Sequence, residues 1–267
     1  MKKLLAVTAS VLAVLSFAAC AKKGSDKTIT VAASTTPHAE ILEQCKEAMA
    51  AKGYTLDIKV MDDYVIPNTA TESGDVLANY FQHTPYLDQF NAENGTHLVS
   101  VAKIHYEPYA IYAGTSATLE DIPEGAKVAV PNDATNEARA LQLLAANGLI
   151  TLKEGAGLTA TKMDIVENPL DLEIVEMEAA LVSGMLDEVA VAVINGNYAL
   201  AAGLDVRESL AMEDAASEAA QTFANVLVVK EGNENNEGIL ALKEVMMSDA
   251  IRSFIDETYN GAVVAMF

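Results

Sequence analysis

Residues 79–87 carry the mixture of side chains that is typical of a small-molecule pocket. Three aromatic rings, one histidine and two carboxamides surround Pro85 within nine residues. Aromatic faces accept an apolar ligand body, while a few fixed polar groups orient it. A buried strand followed by an aromatic turn has a similar composition, so this segment by itself leaves both interpretations open.

Arg139 is the second candidate for ligand binding. Residues 130–141 predict a strand, a polar turn and a helix that begins near Asn136. Arg139 would then lie in the first helical turn, where a cation opposes the positive end of the helix dipole unless an anion lies nearby. Helix amides and a guanidinium together form a carboxylate or phosphate site. A surface ion pair with Asp133 or Glu137 is the alternative.

Hydrophobic periodicity indicates the elements that must position these residues. Thr36 and Pro37 are typical of a helix start, and Gly53 is typical of its end. Helical stretches alternate with strands, which predicts an α/β fold of doubly wound sheets. The predicted strands are residues 28–33, the alternating set Leu56, Ile58 and Val60, and the continuous apolar runs 128–130 and 189–194.

The first residues have the layout of a bacterial secretory signal. Two lysines precede an apolar run over residues 4–19, which is short for a bilayer span. The run ends at Cys20 in a stretch that resembles a bacterial lipobox, although Phe17 stands where leucine is usual. We therefore expect residues 1–19 to be a signal peptide, Cys20 to be the lipid-modified, palmitate-bearing first mature residue, and residues 20–27 to be a polar tether. An ordinary signal peptide cut nearby is the alternative.

Charge and cysteine content exclude several classes of partner and fold. The formal net charge of −21 becomes −23 when the two leader lysines are removed, and such a surface repels phosphate groups. Nucleic-acid binding and electrostatic adhesion to anionic lipid are therefore disfavoured. Apart from Cys20, the chain has only Cys45, so there is no disulfide framework. Cys45 lies on the apolar stripe of the first predicted helix, which indicates a small core residue.

The sequence carries no recognised catalytic motif. It contains no P-loop, no serine nucleophile elbow and no His-Glu-x-x-His helix. Residues 155–160 fit a loose dinucleotide-loop pattern, but they do not follow a clear strand, and we interpret them as a loop. The four histidines lack the close spacing of a local metal site, although distant residues can converge in a fold. We predict a protein that is not an enzyme and has no cofactor, catalytic residue or metal ligand.

Six collinear features resemble the methionine-binding lipoproteins, which are the substrate-binding subunits of methionine importers of the ATP-binding cassette (ABC) type. The resemblance continues to residues 260–264 and so covers essentially the whole mature chain. The features are the lipid anchor, residues 63–70, NYFQHTPYL at 79–87, VPNDATNEARAL at 130–141, residues 164–169, and VINGNYA at 193–199.

This resemblance implies a two-lobed periplasmic-binding-protein fold of type II-like topology, with the ligand enclosed between the lobes. Two crossing strands, near residues 107–113 and 222–228, would join the doubly wound sheets and act as a hinge. Lobe 1 would comprise residues 28–110 and 226–267, and lobe 2 would comprise residues 111–225.

The resemblance also implies roles for individual residues. Arg139 would bind the ligand carboxylate, and Asn195 and Asn225 would hold the amino and carboxylate groups. The thioether side chain would be surrounded by Tyr64, Phe81, His83 and Tyr86, with Asn136 as a polar neighbour. Each residue also has a structural interpretation: His83 could fix a turn, Asn225 could lie within a strand, and Tyr64 could be a half-buried strand residue.

Two positions depart from the pattern of the methionine-binding lipoproteins. Gly196 stands where some members carry another asparagine, and Tyr109 stands where methionine is common, in a predicted strand over residues 104–114. Both changes are expected to leave the fold intact but to alter the shape of the pocket.

The implied function is capture of methionine, expected to be the L-isomer, for delivery to the permease and ATPase subunits of an importer. The protein would be a monomer, lipid-anchored on the extracytoplasmic side of a bacterial cell membrane. The alternatives are another apolar amino acid or a short peptide as the ligand, a metal-binding importer subunit, and a surface interaction role.

Overall fold

The computed structural model describes residues 27–214 and 218–267. The predicted signal peptide at 1–19, the lipidation site Cys20 and nearly all of the tether at 20–27 lie outside these ranges. None of the helices in the described part of the chain has both the length and the apolar composition that a membrane span requires.

Strands and helices alternate through most of the described chain. The helices are α1 (Glu40–Ala51), α2 (Ile66–Ser73), α3 (Thr84–Asn94), α4 (Ala134–Ala146), α5 (Ala179–Val182), α6 (Gly196–Ala201), α7 (Glu218–Thr222), α8 (Glu237–Met246) and α9 (Asp249–Tyr259). The strands are β1 (Thr28–Ala33), β2 (Thr55–Val60), β3 (Ala78–His83), β4 (Leu98–Tyr106), β5 (Ala110–Ala113), β6 (Lys127–Pro131), β7 (Thr151–Leu152), β8 (Ile165–Glu167), β9 (Glu173–Met177), β10 (Val191–Ile194), β11 (Ala211–Met212), β12 (Asn225–Lys230) and β13 (Val264–Ala265).

The first sheet has the strand order β13-β4-β12-β3-β1-β2. Strands β1, β2 and β3 are parallel, whereas β12, β4 and β13 join the sheet in antiparallel pairings. Strand β3 is buried at every residue, as expected for a central strand covered on both faces. The residues at its carboxyl end, which include Phe81 and His83, therefore have fixed positions.

The second sheet repeats this design with the order β11-β5-β10-β6-β9. Strands β9, β6 and β10 are parallel, and β5 pairs antiparallel with β10. A separate two-stranded sheet pairs β7 with β8. The α/β prediction is confirmed, and the predicted strand over residues 28–33 coincides with β1.

Separate hydrophobic clusters stabilise the two sheets. In the first, α1 buries Ile41, Leu42, Cys45 and Met49, the same stripe that the sequence predicts. Cys45 is fully buried, and burial raises the pKa of its thiol to about 12, so it remains an inert core residue. In the second cluster, α4 packs Leu141 and Leu144 against the strands of the second sheet.

The chain passes between the sheets twice. The predicted single strand over residues 104–114 is wrong, because β4 ends at Tyr106 and β5 begins at Ala110. Pro108 lies in the break, and a proline cannot donate the backbone hydrogen bond that a continuous strand requires. The chain returns to the first sheet after α7 and enters β12 at Asn225.

Candidate ligand-binding cavity between the two sheets

One cavity brings together all eight residues that the sequence predicts for the ligand site. Four further residues, Gln82, Glu107, Gly196 and Asn197, also line it. The predicted lining residues are Tyr64, Phe81, His83, Tyr86, Asn136, Arg139, Asn195 and Asn225. The cavity thus has contributions from both sheets and from the first crossing between them.

The aromatic wall consists of Tyr64, Phe81 and Tyr86. Tyr64 precedes α2, Phe81 lies on β3, and Tyr86 lies in the first turn of α3. The ring centroid of Tyr64 is 5.8 Å from that of Phe81 and 5.6 Å from that of Tyr86. Because Tyr64 lies between β2 and α2, the interpretation of Tyr64 as a half-buried strand residue is wrong. These rings offer the edges and faces that a thioether or alkyl group contacts favourably.

His83 joins the aromatic wall to the second sheet. Its Nδ1 accepts a hydrogen bond of 3.2 Å from the backbone N–H of Tyr86 and so caps α3. Its Nε2 donates to Oδ1 of Asn136 over 3.2 Å. Burial and the nearby Arg139 charge lower the pKa of His83 to about 3, so the imidazole is neutral. The turn-fixing role and the lining role therefore coexist.

The polar wall begins at the N-terminus of α4. Asp133 caps this helix, accepts from the backbone N–H of Asn136 over 3.0 Å and also receives both hydrogen bonds of the Asn136 amide group. Oδ1 of Asn136 then accepts from Nδ2 of Asn195 over 2.9 Å. These hydrogen bonds engage Nδ2 of Asn195. Its Oδ1 has no hydrogen-bond partner among the described residues, and Asn195 lines the cavity.

Arg139 has an internal partner that the sequence analysis missed. Helix α4 begins at Ala134, so the prediction that Arg139 lies in the first turn is wrong by about two residues. Arg139 makes a paired contact with Glu213, Nε to Oε1 at 2.8 Å and Nη2 to Oε2 at 2.6 Å. The alternative interpretation, a surface pair with Asp133 or Glu137, is wrong as well, because the buried Arg139 pairs with Glu213.

Several neighbours hold the guanidinium of Arg139 in place. It lies 4.2 Å from the ring centroid of Phe223 and 4.7 Å from that of Tyr109, and Nη2 also donates to the backbone oxygen of Glu107. Burial alone would raise the pKa of Glu213, but Arg139 and neighbouring donors hold it below its usual value. The hydrogen bonds of the guanidinium to described residues come from Nε and Nη2, and none comes from Nη1.

Behind the cavity lies a buried group formed by His38, His105 and Glu107. Nε2 of His105 donates to Oε1 of Glu107 over 2.7 Å, and Nε2 of His38 lies 3.6 Å from the same oxygen. Nε2 of His38 also donates to Oδ1 of Asn225 over 3.0 Å, while Ser34 donates to its Nδ1. Asn225 is the first residue of β12, as the strand interpretation expected, and the hydrogen bond from His38 fixes its side chain.

This group has metal-ligand spacing, since its donor atoms lie within 4.8 Å of one another. However, hydrogen bonds already account for the orientation of both imidazoles, because Tyr80 donates to Nδ1 of His105. Burial lowers the pKa of His38 to about 4 and that of His105 to about 3. The other two histidines, His83 and His97, do not join this group.

Gly196 lines the cavity and allows the side chain of Glu107 to approach closely. A Cβ atom at this position would lie 2.5 Å from Oε2 and 2.6 Å from Cβ of Glu107. Such separations are impossible without displacing the carboxylate, so the glycine is required for the present position of Glu107. A larger residue at position 196 would therefore displace Glu107, which lines the cavity.

Glu107 and Glu213 were missed because the sequence carries little local signal for them. Each follows a strand of ordinary appearance, and acidic residues are abundant throughout this chain. The single hint is that Glu107 precedes Pro108 within a strongly apolar and aromatic stretch, where a charge needs a partner.

A family model for the NlpA lipoproteins matches residues 29–267. The methionine-binding lipoprotein MetQ of Bacillus subtilis is 38% identical over 265 residues, which cover 98% of this chain and 96% of MetQ. A crystal structure of a putative lipoprotein from Ruminococcus gnavus has 58% identity and a TM-score of 0.89, covering 90% of this chain and 100% of that one.

A nutrient-binding protein from Burkholderia cenocepacia has been solved with methionine bound. It has 38% identity to this chain and a TM-score of 0.85, and the match covers 90% of this chain and 100% of that one. Agreement of this extent confirms the two-lobed periplasmic-binding-protein fold.

Proposed function

The chain belongs to the NlpA lipoprotein family, and from this membership we propose that it captures methionine for an ABC-type importer. The observation that carries the proposal is the cavity itself, which combines an aromatic wall with a polar wall that holds a charged guanidinium and an unsatisfied amide oxygen. A free amino acid with an apolar side chain requires this combination of groups.

We propose that the polar wall binds the groups common to all amino acids. The Nη1 edge of Arg139 would receive the ligand carboxylate, because Glu213 occupies the opposite edge. Oδ1 of Asn195 would accept a hydrogen bond from the ligand amine, and the amide group of Asn225 would bind the carboxylate. His83 and Asn136 would connect this wall to the aromatic side.

We propose that Tyr64, Phe81 and Tyr86 surround the ligand side chain. Contacts between sulfur and aromatic rings are each worth about 0.3–1.5 kcal/mol, and three rings lie on one side of the cavity. Methionine has about nine heavy atoms, and the ceiling of about 1.5 kcal/mol per atom permits submicromolar binding. We expect the L-isomer to be the preferred ligand.

Transport requires that the two lobes open and close around the ligand. We propose that the lobes are residues 28–110 with 226–267 and residues 111–225, because the sheet boundaries fall at β5 and β12. A ligand that contacts both walls favours the closed form. We further propose that the protein is a monomer, anchored through Cys20 on the extracytoplasmic face of the membrane, which brings it to the importer.

Mass spectrometry of the natively purified protein, followed by calorimetry, tests this function. We expect methionine among the co-purified small molecules and a submicromolar dissociation constant for L-methionine. Titrations with D-methionine, leucine and a methionine dipeptide establish the preference. A bound ligand that methionine does not displace would contradict the proposal.

A further inference from the structure

Two oxygen-bearing acceptor groups, the amide of Asn195 and the carboxylate of Glu107, line the cavity. Asn195 is 7% exposed, and its Oδ1 has no partner among the described residues. Glu107 is 6% exposed, and its Oε2 lies close to Gly196, which is the residue that follows Asn195. A buried acceptor without a donor is costly, so the free Oδ1 of Asn195 in a cavity that is also lined by a carboxylate indicates a ligand group that donates hydrogen bonds.

Among the described residues, no lysine or arginine forms an ion pair with the carboxylate of Glu107. His38 before α1 and His105 on β4 contact it, but burial keeps both imidazoles neutral at neutral pH. Arg139 on α4 donates only to its backbone oxygen, and Glu213 already offsets the arginine charge. The backbone N–H of Asn197 on α6 is a further hydrogen-bond donor to the carboxylate, and the hydroxyls of neighbouring tyrosines, including Tyr64 and Tyr80, are uncharged. Burial raises the pKa of Glu107 because these neighbours do not fully offset the loss of solvation, and a cationic ligand group in the cavity that Glu107 lines would stabilise the ionised carboxylate.

The carboxylate is held rigidly in this position. Tyr80 donates to His105, which in turn donates to Oε1 of Glu107, so the first sheet fixes one oxygen. Gly196 allows the second oxygen to approach the backbone of the second sheet. Glu107 lies between the end of β4 and the start of β5 and so touches both halves of the molecule.

From this geometry we propose that Glu107 binds the α-ammonium group of the ligand, together with Oδ1 of Asn195. The proposal rests on the proposed function and specifies its substrate class: the site selects amino acids with an unblocked α-amine. Arg139 and Glu107 then bind the two opposite charges of the zwitterion. His105 and Gly196 are positioning residues, since they act only through the carboxylate.

A ligand pair that differs only in the amine tests this role. Calorimetry is performed with L-methionine and with 4-(methylthio)butanoate, which lacks the amine, on the wild type and on Glu107→Gln. We expect Glu107→Gln to bind methionine at least about 30-fold more weakly, because a charge-assisted hydrogen bond is lost. Its affinity for the deaminated analogue should change by less than about threefold.

A second variant moves the carboxylate without removing its charge. Gly196→Ala places a Cβ atom 2.5 Å from Oε2 and so displaces the carboxylate, and it should show the same selective loss for methionine. Glu124→Gln, at an exposed position away from the cavity, is the matched control and should leave both affinities unchanged. Thermal unfolding of each variant verifies that it is folded before titration.

The outcomes separate this inference from the proposed function. If the wild type does not bind methionine, the proposed function fails. If the wild type binds methionine but Glu107→Gln retains its affinity, or loses affinity equally for both ligands, the role of Glu107 is wrong. Dialysis against a chelator should leave wild-type binding intact, and a loss that zinc restores would instead identify His38, His105 and Glu107 as a metal site.

Discussion

The two walls of the cavity are built in different ways. The aromatic wall comes mainly from one continuous stretch, residues 79–87, and its rings contact one another with few hydrogen bonds. The polar wall is assembled from residues far apart in the chain, and its groups are fixed by hydrogen bonds to other protein groups. Arg139 and Glu213, for example, are separated by 74 residues.

From this difference we expect the polar wall to control the affinity for amino acids in general and the aromatic wall to control which amino acid is preferred. A buried charge must be held by compensating partners, so the polar wall is rigid and tolerates little change. Aromatic and aliphatic contacts have no strict direction, so the aromatic wall can change in shape while the zwitterion remains bound. Substitutions in the polar wall should therefore weaken the binding of all amino acids, whereas substitutions in the aromatic wall should change the order of preference among them.

Arg139→Ala should have the largest effect. It removes the proposed cationic partner of the ligand carboxylate. It also leaves Glu213 buried without a counter-charge, and breaking a buried ion pair typically lowers the free energy of unfolding by about 3–5 kcal/mol. Calorimetry should detect no binding of methionine or norleucine. Arg207→Ala, which removes an exposed arginine that pairs locally with Asp205, is the control. Wild-type affinity in Arg139→Ala would exclude the guanidinium from the site.

Substitution of His83, which contacts both walls, should have an intermediate effect, and this effect on the free energy of unfolding should depend on pH. Its pKa in the folded protein is about 3, below the ordinary 6.5, so the unfolded chain takes up the proton first. The stability contribution of His83 is therefore complete above pH 6.5 and is lost as the pH falls toward 3, by about 1.4 kcal/mol per pH unit.

Urea unfolding of the wild type and of His83→Gln at pH 7, 6 and 5 measures this contribution. The free energy of unfolding should fall less steeply with decreasing pH in the variant, whatever its absolute stability. His97→Gln, at an exposed histidine, is the control. Equal slopes in the wild type and in His83→Gln would mean that the pKa of His83 is the same in the folded and the unfolded chain, which would contradict the prediction.

Phe81→Leu should have the smallest effect but the most selective one. Loss of one ring removes a sulfur–aromatic contact, so the preference for methionine over norleucine should fall by about 0.3–1.5 kcal/mol. Phe90→Leu, on α3 but outside the cavity, should leave this preference unchanged. If Phe81→Leu weakened the binding of methionine and norleucine by the same factor, the aromatic wall would not control the preference between them.

Much of the fold was predictable because it depends on local periodicity. The buried stripe of α1 and the bounds of β1 follow from the spacing of apolar residues. The break between β4 and β5 was not predicted, because Tyr106 and Tyr109 continue an apolar pattern that favours a strand. The start of α4 was missed by two residues because Asp133, and not a later residue, provides the cap.

The candidate site was predictable to the extent that its residues occur in recognisable motifs. All eight predicted residues line the cavity, but their roles as ligand contacts remain predictions. Glu107 and Glu213 occur in no such motif, and their importance arises from what surrounds them after folding. A carboxylate becomes significant only when burial removes it from water and leaves its charge to be balanced.

The sequence by itself determined the alternation of strands and helices, the family, and the side chains available to bind an apolar amino acid. These properties depend on residue types and short spacings, which are local. Only the tertiary structure decided which charges are already paired. Glu213 takes one edge of Arg139, the histidines beside Glu107 remain neutral, and Gly196 admits its carboxylate. The physical reason is that electrostatic balance depends on distance and burial, which the order of residues along the chain does not specify.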